Sequence, residues 1–123
     1  MPRVLILDDD DMVRQLVHET LTGAGFDVRT AKSGYLALEV LRSEHFDLII
    51  TDIVRPEKDG LETIQEVLRG NPGMKILAMS GGGSYLPPTE DLTASRLLGA
   101  YRTLFKPVSP HLLVNEVHAT LAG

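Results

Sequence analysis

Acidic residues stand directly after two apolar runs of this chain, where their chemistry suits the binding of a divalent cation. Residues 4–7 are followed by four consecutive aspartates, Asp8 to Asp11, and a second apolar run ends in Asp52. Carboxylates without His or Cys neighbours are the hard oxygen ligands typical of Mg²⁺ sites. Aspartate is also an established nucleophile towards phosphorus. These residue types therefore point to phosphoryl chemistry assisted by Mg²⁺ or Mn²⁺, provided that the fold brings them together.

Two polar residues after later apolar runs suit the same chemistry. Ser80 follows the fourth such run and Lys106 follows the fifth. A hydroxyl donor and a fixed positive charge are suited to hold the oxygens of a phosphoryl group. Gly81 has no side chain and leaves room beside Asp52. We therefore regard Ser80, Gly81 and Lys106 as candidate phosphoryl-binding residues.

The spacing of apolar residues predicts a strand followed by a helix five times. The predicted strands are residues 4–7, 26–31, 47–52, 74–79 and 101–105. The predicted helices are about residues 13–24, 33–43, 61–68, 90–98 and 109–121. The apolar residues expected on their inward faces are Val13, Leu16, Val17, Leu21, Ala24, Leu36, Val40, Leu41, Leu61, Ile64, Val67, Leu68, Leu112, Leu113, Val117 and Leu121.

Cap and turn residues mark the ends of these elements. Ser33 and Ser109 are predicted N-caps, and Pro110 suits the first position of the last helix. Asp10 and Asp11 are interpreted as acidic residues at the start of the first helix, where they suit the helix dipole. Structural roles in ending strands and forming turns are assigned to Pro56, Gly60 and Pro107.

Alternating strands and helices predict an α/β fold with a parallel sheet and helices on both faces. Five units in 123 residues suit the flavodoxin-like doubly wound (βα)5 fold, with strand order 2-1-3-4-5. All strands of such a sheet end at one edge, so Asp8, Asp9, Asp52, Ser80 and Lys106 are expected to converge there. The three carboxylates repel one another at that edge, and a bound cation relieves the repulsion.

Composition excludes several classes of function. The net charge of -5 gives no electrostatic support for a nucleic-acid partner. The absence of cysteine excludes disulfides, thiolate metal sites and thiol catalysis. The first apolar run is too short for a signal peptide or a membrane span, so we expect a cytoplasmic protein with no membrane partner. The four histidines lack ligand spacing and are interpreted as surface residues.

Residues 4–11, 47–60, 74–81 and 104–108 resemble the receiver domain of bacterial two-component response regulators, in particular single-domain, chemotaxis-regulator-like members. The pattern is an acidic pair after the first strand, an Asp followed four residues later by Pro, and a later Asp-Gly. A Ser after the fourth strand and a Lys-Pro after the fifth complete it. Because these motifs occur in order along essentially the whole chain, residues 1–123 are interpreted as one receiver domain.

The resemblance implies a role for each site residue. Asp52 is expected to accept a phosphoryl group from a histidine kinase or a histidine phosphotransfer protein. Asp9, Asp52 and the backbone carbonyl of Val54 are expected to bind Mg²⁺ directly, and Asp8 mainly through a metal-bound water. The residues expected to contact the phosphoryl oxygens are Ser80, Gly81 and Lys106. Beyond Mg²⁺-dependent self-phosphorylation and slow self-dephosphorylation, no enzymatic activity is expected.

Receivers switch by repacking the surface of the fourth helix, the fifth strand and the fifth helix, and this chain departs from their usual pattern there. The position of a common switching aromatic is Thr103, which has no ring to swing. Tyr101 lies two residues before Thr103 and is therefore expected on the same face of the fifth strand, and Tyr85 lies in the loop after Ser80. We predict that one of these tyrosines, together with Ser80, reports phosphorylation. The segment after Ser80 is longer than usual, and the fourth helix is predicted to start after Pro88.

The residue two positions after Asp52 bears on hydrolysis. Val54 and Gly82 flank the expected approach of a hydrolytic water, and neither has a polar side chain to orient it. Slow self-dephosphorylation is therefore predicted. Phosphatases with an Asp nucleophile carry a second Asp where this chain has Val54, so that activity is disfavoured. Flavin binding is disfavoured too, because an acidic edge without a cation repels a phosphate.

The leading interpretation is a stand-alone receiver without an effector domain, whose output is contact with an unknown downstream protein or transfer of the phosphoryl group onward in a relay. A receiver that forms part of a longer protein is an open alternative. A non-phosphorylated adaptor or scaffold with the same fold is the alternative. The complete set of Asp8, Asp9, Asp52, Ser80 and Lys106 argues against that alternative.

Overall fold

The computed structural model of the chain describes residues 2–52, 60–80, 102–105 and 109–122. Its strands are β1 (Arg3–Leu7), β2 (Asp27–Ala31), β3 (Leu48–Asp52), β4 (Lys75–Ser80) and β5 (Arg102–Phe105). Its helices are α1 (Asp11–Gly23), α2 (Gly34–Ser43), α3 (Gly60–Gly70) and α4 (Pro110–Ala122). Helix α4 is the fifth helix predicted from the sequence, while the fourth predicted helix lies outside the described residues. None of the described helices is long and apolar enough to cross a membrane.

The described strands form one parallel sheet in the order β2-β1-β3-β4-β5. This order confirms the flavodoxin-like doubly wound α/β fold predicted from the strand–helix alternation. Leu7 pairs with both Ala31 and Thr51, and Ser80 pairs with Phe105. The carboxyl ends of the strands are therefore aligned along one edge of the sheet.

The sheet separates two apolar clusters because successive strand residues point to opposite faces. The cluster beneath α2 and α3 contains Leu5, Leu7, Ala31, Ala37, Phe46, Ile49, Val67, Met74, Ile76 and Ala78. The cluster beneath α1 and α4 contains Val4, Ile6, Val17, Leu21, Phe26, Leu48, Ile50, Leu77, Met79, Leu113 and Val117. Burial on both faces explains why β1, β3 and β4 are continuous apolar runs.

Several helix residues differ in burial from the sequence prediction. Residues expected to face the core but exposed in the structure are Leu16, Ala24, Leu36 and Leu112. Ala37 is buried instead in α2, because α2 packs directly on β1 and β2 and a small side chain allows that close approach. Thr120 is buried in α4, where its hydroxyl donates to a carbonyl one turn earlier. That hydrogen bond makes a buried polar residue tolerable at a position that sequence periodicity does not identify as core.

The predicted helix starts are confirmed by their hydrogen bonds. The Asp10 carboxylate accepts hydrogen bonds from the amides of Met12 and Val13, so Asp10 is the N-cap of α1. Ser33 and Ser109 cap α2 and α4 by accepting from the amide three residues later. These caps determine where α1 begins relative to the end of β1, and thereby shape the turn between them.

Candidate functional site

Asp8 is the first residue beyond β1, and the structure holds it firmly at the carboxyl edge of the sheet. Its amide donates to the carbonyl of Ala31 at 3.2 Å, which extends the β1–β2 pairing by one residue. Its Oδ1 accepts a hydrogen bond from the amide of Asp10 at 2.9 Å. The residue is fully buried. A buried carboxylate at this place is costly unless it is compensated, which makes Asp8 a candidate functional residue.

Asp52 is the last residue of β3 and is also buried, at 6% exposure. The pairing of Leu7 with Thr51 places Asp8 and Asp52, the next residue of each chain segment, side by side. The Thr51 hydroxyl donates to the carbonyl of Asp52 at 3.0 Å. Two buried carboxylates therefore meet where β1 and β3 end, at the switch point of the sheet, where ligands of such folds bind.

Asp9 completes an acidic cluster at this edge. It is exposed, and one carboxylate oxygen from each of Asp8, Asp9 and Asp52 lies within 4.8 Å of the other two. Three hard oxygen donors at that spacing, without nitrogen or sulfur ligands, suit a Mg²⁺ or Mn²⁺ ion. Asp10 and Asp11 belong to α1 instead, the first as its N-cap and the second as its first residue. Their predicted structural role is confirmed.

Arg14 is a residue of this site that the sequence pattern did not identify. Its Nη1 donates to the backbone carbonyl of Asp8 at 2.9 Å, and its Nη2 donates to the carboxylate of Asp11. The Asp11–Arg14 spacing was a visible signal for a helical ion pair. The contact with the carbonyl of Asp8 depends on how α1 follows β1, so the sequence alone does not reveal it.

The phosphoryl-binding candidates are only partly within the described residues. Ser80 is the last residue of β4 rather than the first after it, and its backbone pairs with Phe105, the last residue of β5. Lys106 is the next residue along the chain. Thr103 lies in β5 opposite Ala78. Predicted site or structural residues outside the described part are Val54, Pro56, Gly81, Tyr85, Tyr101, Lys106 and Pro107.

The structure also shows where Gly60 and the four histidines lie. Gly60, which the sequence assigned to a turn with Asp59, is the first residue of α3, and Asp59 lies outside the described residues. His45, His111 and His118 are exposed and His18 is half-buried. None of the histidines joins the acidic cluster among the described residues.

The comparisons with known proteins agree with this arrangement. The response regulator receiver domain family matches residues 4–118. CpdR of Brucella abortus, a response regulator receiver protein, is 34% identical over 122 residues, which is 98% of both chains. The transcriptional regulatory protein GlrR of Escherichia coli K12 is 34% identical over 118 residues. The chain spans only 26% of the length of GlrR, so that likeness concerns one part of a longer protein.

Solved structures give the same result for the fold. The chemotaxis protein CheY4 of Vibrio cholerae is 30% identical, has a TM-score of 0.87, and is matched over 98% of both chains. A CheY-like receiver domain protein from Methanospirillum hungatei JF-1 has a TM-score of 0.89 at 29% identity, with 99% of this chain and 94% of that chain covered. Sequence and architecture therefore agree over nearly the full length.

Proposed function

This chain belongs to the response regulator receiver domain family of two-component signalling, and from that premise we propose that Asp52 is the residue that receives a phosphoryl group. Receiver domains are signalling modules rather than classical enzymes, and the proposed reaction changes the state of the protein itself. The observation that carries the proposal is the convergence of Asp8, Asp9 and Asp52 within 4.8 Å at the carboxyl edge of the sheet. The domain is proposed to extend over residues 1–123.

The donor set of the acidic cluster fits a Mg²⁺ ion, or Mn²⁺ in its place. Asp9, Asp52 and the carbonyl of Val54 are the proposed direct ligands, and Asp8 acts mainly through a bound water. When bound, the cation neutralises the charge of carboxylates and phosphoryl oxygens. The buried position of Asp8 and Asp52 supports this assignment, since a bound cation would offset the repulsion between two carboxylates that lie side by side.

The reaction itself is carried by residues of the chain. A carboxylate oxygen of Asp52 attacks phosphorus in line with the departing imidazole nitrogen of a phosphohistidine. One P–O bond forms, one P–N bond breaks, and the imidazole nitrogen leaves with the bonding electron pair and takes up a proton. Ser80, Gly81 and Lys106 are proposed to hold the equatorial oxygens during this transfer.

The partners follow from this chemistry. A histidine kinase or a histidine phosphotransfer protein supplies the phosphoryl group, and a downstream protein reads the result. The output surface is proposed to comprise the fourth predicted helix, β5 and α4. Ser80 and Thr103, with Tyr101 or Tyr85, are the candidate switch residues on or beside that surface. A cytoplasmic location forms part of the same proposal.

The test is a phosphoryl-transfer assay read by intact-protein mass spectrometry. Wild-type protein treated with acetyl phosphate and Mg²⁺ is expected to gain one phosphoryl mass, and Asp52→Asn is expected to gain none. Asp47→Asn is the matched control, because it makes the same chemical change at an exposed residue just before β3. An unmodified wild type would refute the proposal and favour the adaptor alternative.

The lifetime of the phosphorylated state is a second prediction. Because Val54 and Gly82 lack polar side chains, hydrolysis of the phosphoryl-Asp is expected to be slow. Val54→Asn adds a group able to orient a water and is expected to shorten the half-life severalfold. A wild-type half-life at the short end of the family range, unchanged in Val54→Asn, would contradict this prediction.

A further inference from the structure

We propose that Arg14 is a positioning residue for the acidic site, which holds the turn between β1 and α1 in the form that binds the cation. The inference rests on the proposed function, since it assigns a role to Arg14 within the same metal site. Among the described residues, the Arg14 side chain donates to the carbonyl of Asp8 and to the carboxylate of Asp11 and not to Asp52. It acts through the backbone that carries Asp8 and Asp9.

The contacts of Arg14 form a clamp across the turn. Nη1 donates to the carbonyl of Asp8 at 2.9 Å, and Nη2 donates to the carboxylate of Asp11. The side chain is only 19% exposed although it belongs to the first turn of a surface helix. The guanidinium of Arg14 therefore connects Asp8 with Asp11, on either side of Asp9. The clamp encloses the only exposed member of the acidic cluster identified in the described part of the chain.

The position of Asp9 depends on this backbone. The Asp8 carboxylate is oriented by the amide of Asp10, which donates to its Oδ1 at 2.9 Å. No hydrogen bond to the Asp9 carboxylate is present among the residues that the structure describes. Its oxygen is therefore placed by the path of the main chain from Asp8 to Asp10. Loss of the Arg14 clamp frees that path and lets the Asp9 carboxylate leave the position in which three oxygens converge.

An electrostatic role and a positioning role for Arg14 predict opposite changes in Mg²⁺ affinity when Arg14 is removed, so a measurement of affinity distinguishes them. A fixed positive charge near an acidic cluster weakens the binding of a cation by repulsion. Removing it would therefore tighten Mg²⁺ binding if charge were its only role. Removing a positioning contact weakens binding, because hydrogen bonds that orient metal ligands are worth roughly 10- to 100-fold in affinity. The sign of the change decides between the two roles.

Arginine rather than lysine suits the clamp. The planar guanidinium presents separate N–H donors to two acceptors in a fixed geometry, whereas a lysine ammonium is a compact point charge on a flexible stem. Arg14→Lys therefore keeps the charge and loses the two-pronged contact. A role based on charge alone predicts that Arg14→Lys binds Mg²⁺ as wild type does. The positioning role predicts weaker binding.

The experiment measures Mg²⁺ affinity by isothermal titration calorimetry with MgCl2 on the full chain. Arg14→Met is expected to raise the Kd for Mg²⁺ by about tenfold although it removes a positive charge. Arg14→Lys is expected to raise it as well. Arg42→Met is the matched control, since it removes the same charge from an exposed position of α2 and is expected to leave the Kd within about twofold. Unchanged or tighter binding by Arg14→Met overturns the inference.

The rate of phosphorylation by phosphoramidate, measured against Mg²⁺ concentration, adds a readout that a general loss of stability would not produce. Arg14→Met is expected to raise the half-saturating Mg²⁺ concentration by about tenfold and to reach nearly the wild-type maximal rate at saturation. A reduced maximal rate with unchanged half-saturation would show that Arg14 does not act through the cation site, and would overturn the inference. If Arg14→Met is unfolded at the assay temperature, Arg14→Lys decides by the same criteria.

Mg²⁺ binding and phosphoryl uptake by the wild-type protein distinguish failure of this inference from failure of the proposed function. A wild type that neither binds Mg²⁺ nor takes up a phosphoryl group refutes both. A wild type that does both, together with an Arg14→Met variant of equal affinity, refutes only the role of Arg14.

Discussion

At the amino edge of the sheet carboxylates are paired with arginines, whereas at the carboxyl edge they lie beside one another. Arg3 at the start of β1 donates from Nε to Asp27 at 3.0 Å and from Nη2 to Glu44 at 2.7 Å. Its amide donates to the carboxylate of Asp47 at 2.8 Å. Its guanidinium also lies 4.7 Å from the centroid of the Phe46 ring. These contacts join the starts of β1, β2 and β3 through charges that compensate one another.

The carboxyl edge has the reverse arrangement. Asp8, Asp9 and Asp52 bring three carboxylates together, and two of them are buried. Arg14, the cation described in this turn, donates to a backbone carbonyl and to Asp11 rather than to the cluster. Arg14 therefore contacts the backbone of the turn that carries the cluster. Strands of the same sheet therefore carry arginine–carboxylate pairs at one end and a group of converging carboxylates at the other.

The largest expected effect tests the packing at the amino edge. Phe46 is 1% exposed and packs in the cluster beneath α2 and α3, so Phe46→Ala is expected to lower the free energy of unfolding by about 3–5 kcal/mol. Phe46→Leu retains most of the volume and is expected to cost less than about 1.5 kcal/mol. Urea denaturation measures both. If the edges are independent, the Mg²⁺ affinity of the Phe46→Leu variant equals that of wild type.

The next effect tests cation binding by the acidic cluster at the carboxyl edge. Mg²⁺ at 100 times its Kd is expected to raise the free energy of unfolding by about 2.7 kcal/mol, because the ion binds only the folded chain. Asp9→Asn is expected to lose most of this gain, and Asp47→Asn is expected to keep it. Thermal unfolding with and without Mg²⁺ measures the difference. Equal gains in the two variants would remove Asp9 from the ligand set.

A smaller effect is expected for Arg3→Met, which removes the paired cation of the amino edge. The Tm is expected to fall by several degrees, equally with and without Mg²⁺. Hydrogen bonding to Glu44, together with that to Asp27, raises the pKa of the Arg3 guanidinium above its ordinary value despite partial desolvation. A raised pKa means that this stabilisation is fully present below the ordinary arginine pKa. The difference in Tm from wild type should therefore stay constant between about pH 6 and 9, and a change within that range would contradict the pairing.

The smallest expected effect is the change in the free energy of unfolding, in the absence of metal, when the same Asp→Asn substitution is made at each edge. Asp9→Asn relieves repulsion within the cluster and is expected to raise the free energy of unfolding by less than about 1 kcal/mol. Asp47→Asn removes a charged acceptor from the amide of Arg3 and is expected to lower it by a similar amount. Paired chemical denaturation in EDTA measures both values. Changes of the same sign would show that the two edges do not differ as described.

The elements that carry the site were predictable because their signals are local. Alternation of apolar runs and amphipathic segments indicated the sheet order, and Ser33, Ser109 and Asp10 marked helix starts through contacts with residues two or three positions away. The convergence of Asp8 and Asp52 followed because parallel strands of one sheet end at the same edge. The roles assigned to Lys106 and Val54 remain predictions.

The burial of individual helix residues was less predictable. Leu16, Leu36 and Leu112 satisfy an apolar period of 3.6 residues and are nonetheless exposed, at 45%, 42% and 45%. The sequence indicates which apolar residues share one face of a helix. The angle at which the helix packs on the sheet decides which residues of that face are buried. In α2 that angle brings Ala37 against the strands instead of Leu36.

By itself, the sequence determined the fold class, the order of strands and the aspartates that meet at the carboxyl edge. Only the tertiary structure decided how those residues are held. The clamp of Arg14 on the carbonyl of Asp8 depends on the geometry of one turn, and the contacts of Arg3 join residues 24 and 41 positions apart. The physical reason is that local periodicity specifies elements, whereas a hydrogen bond between elements depends on where each chain segment lies in space.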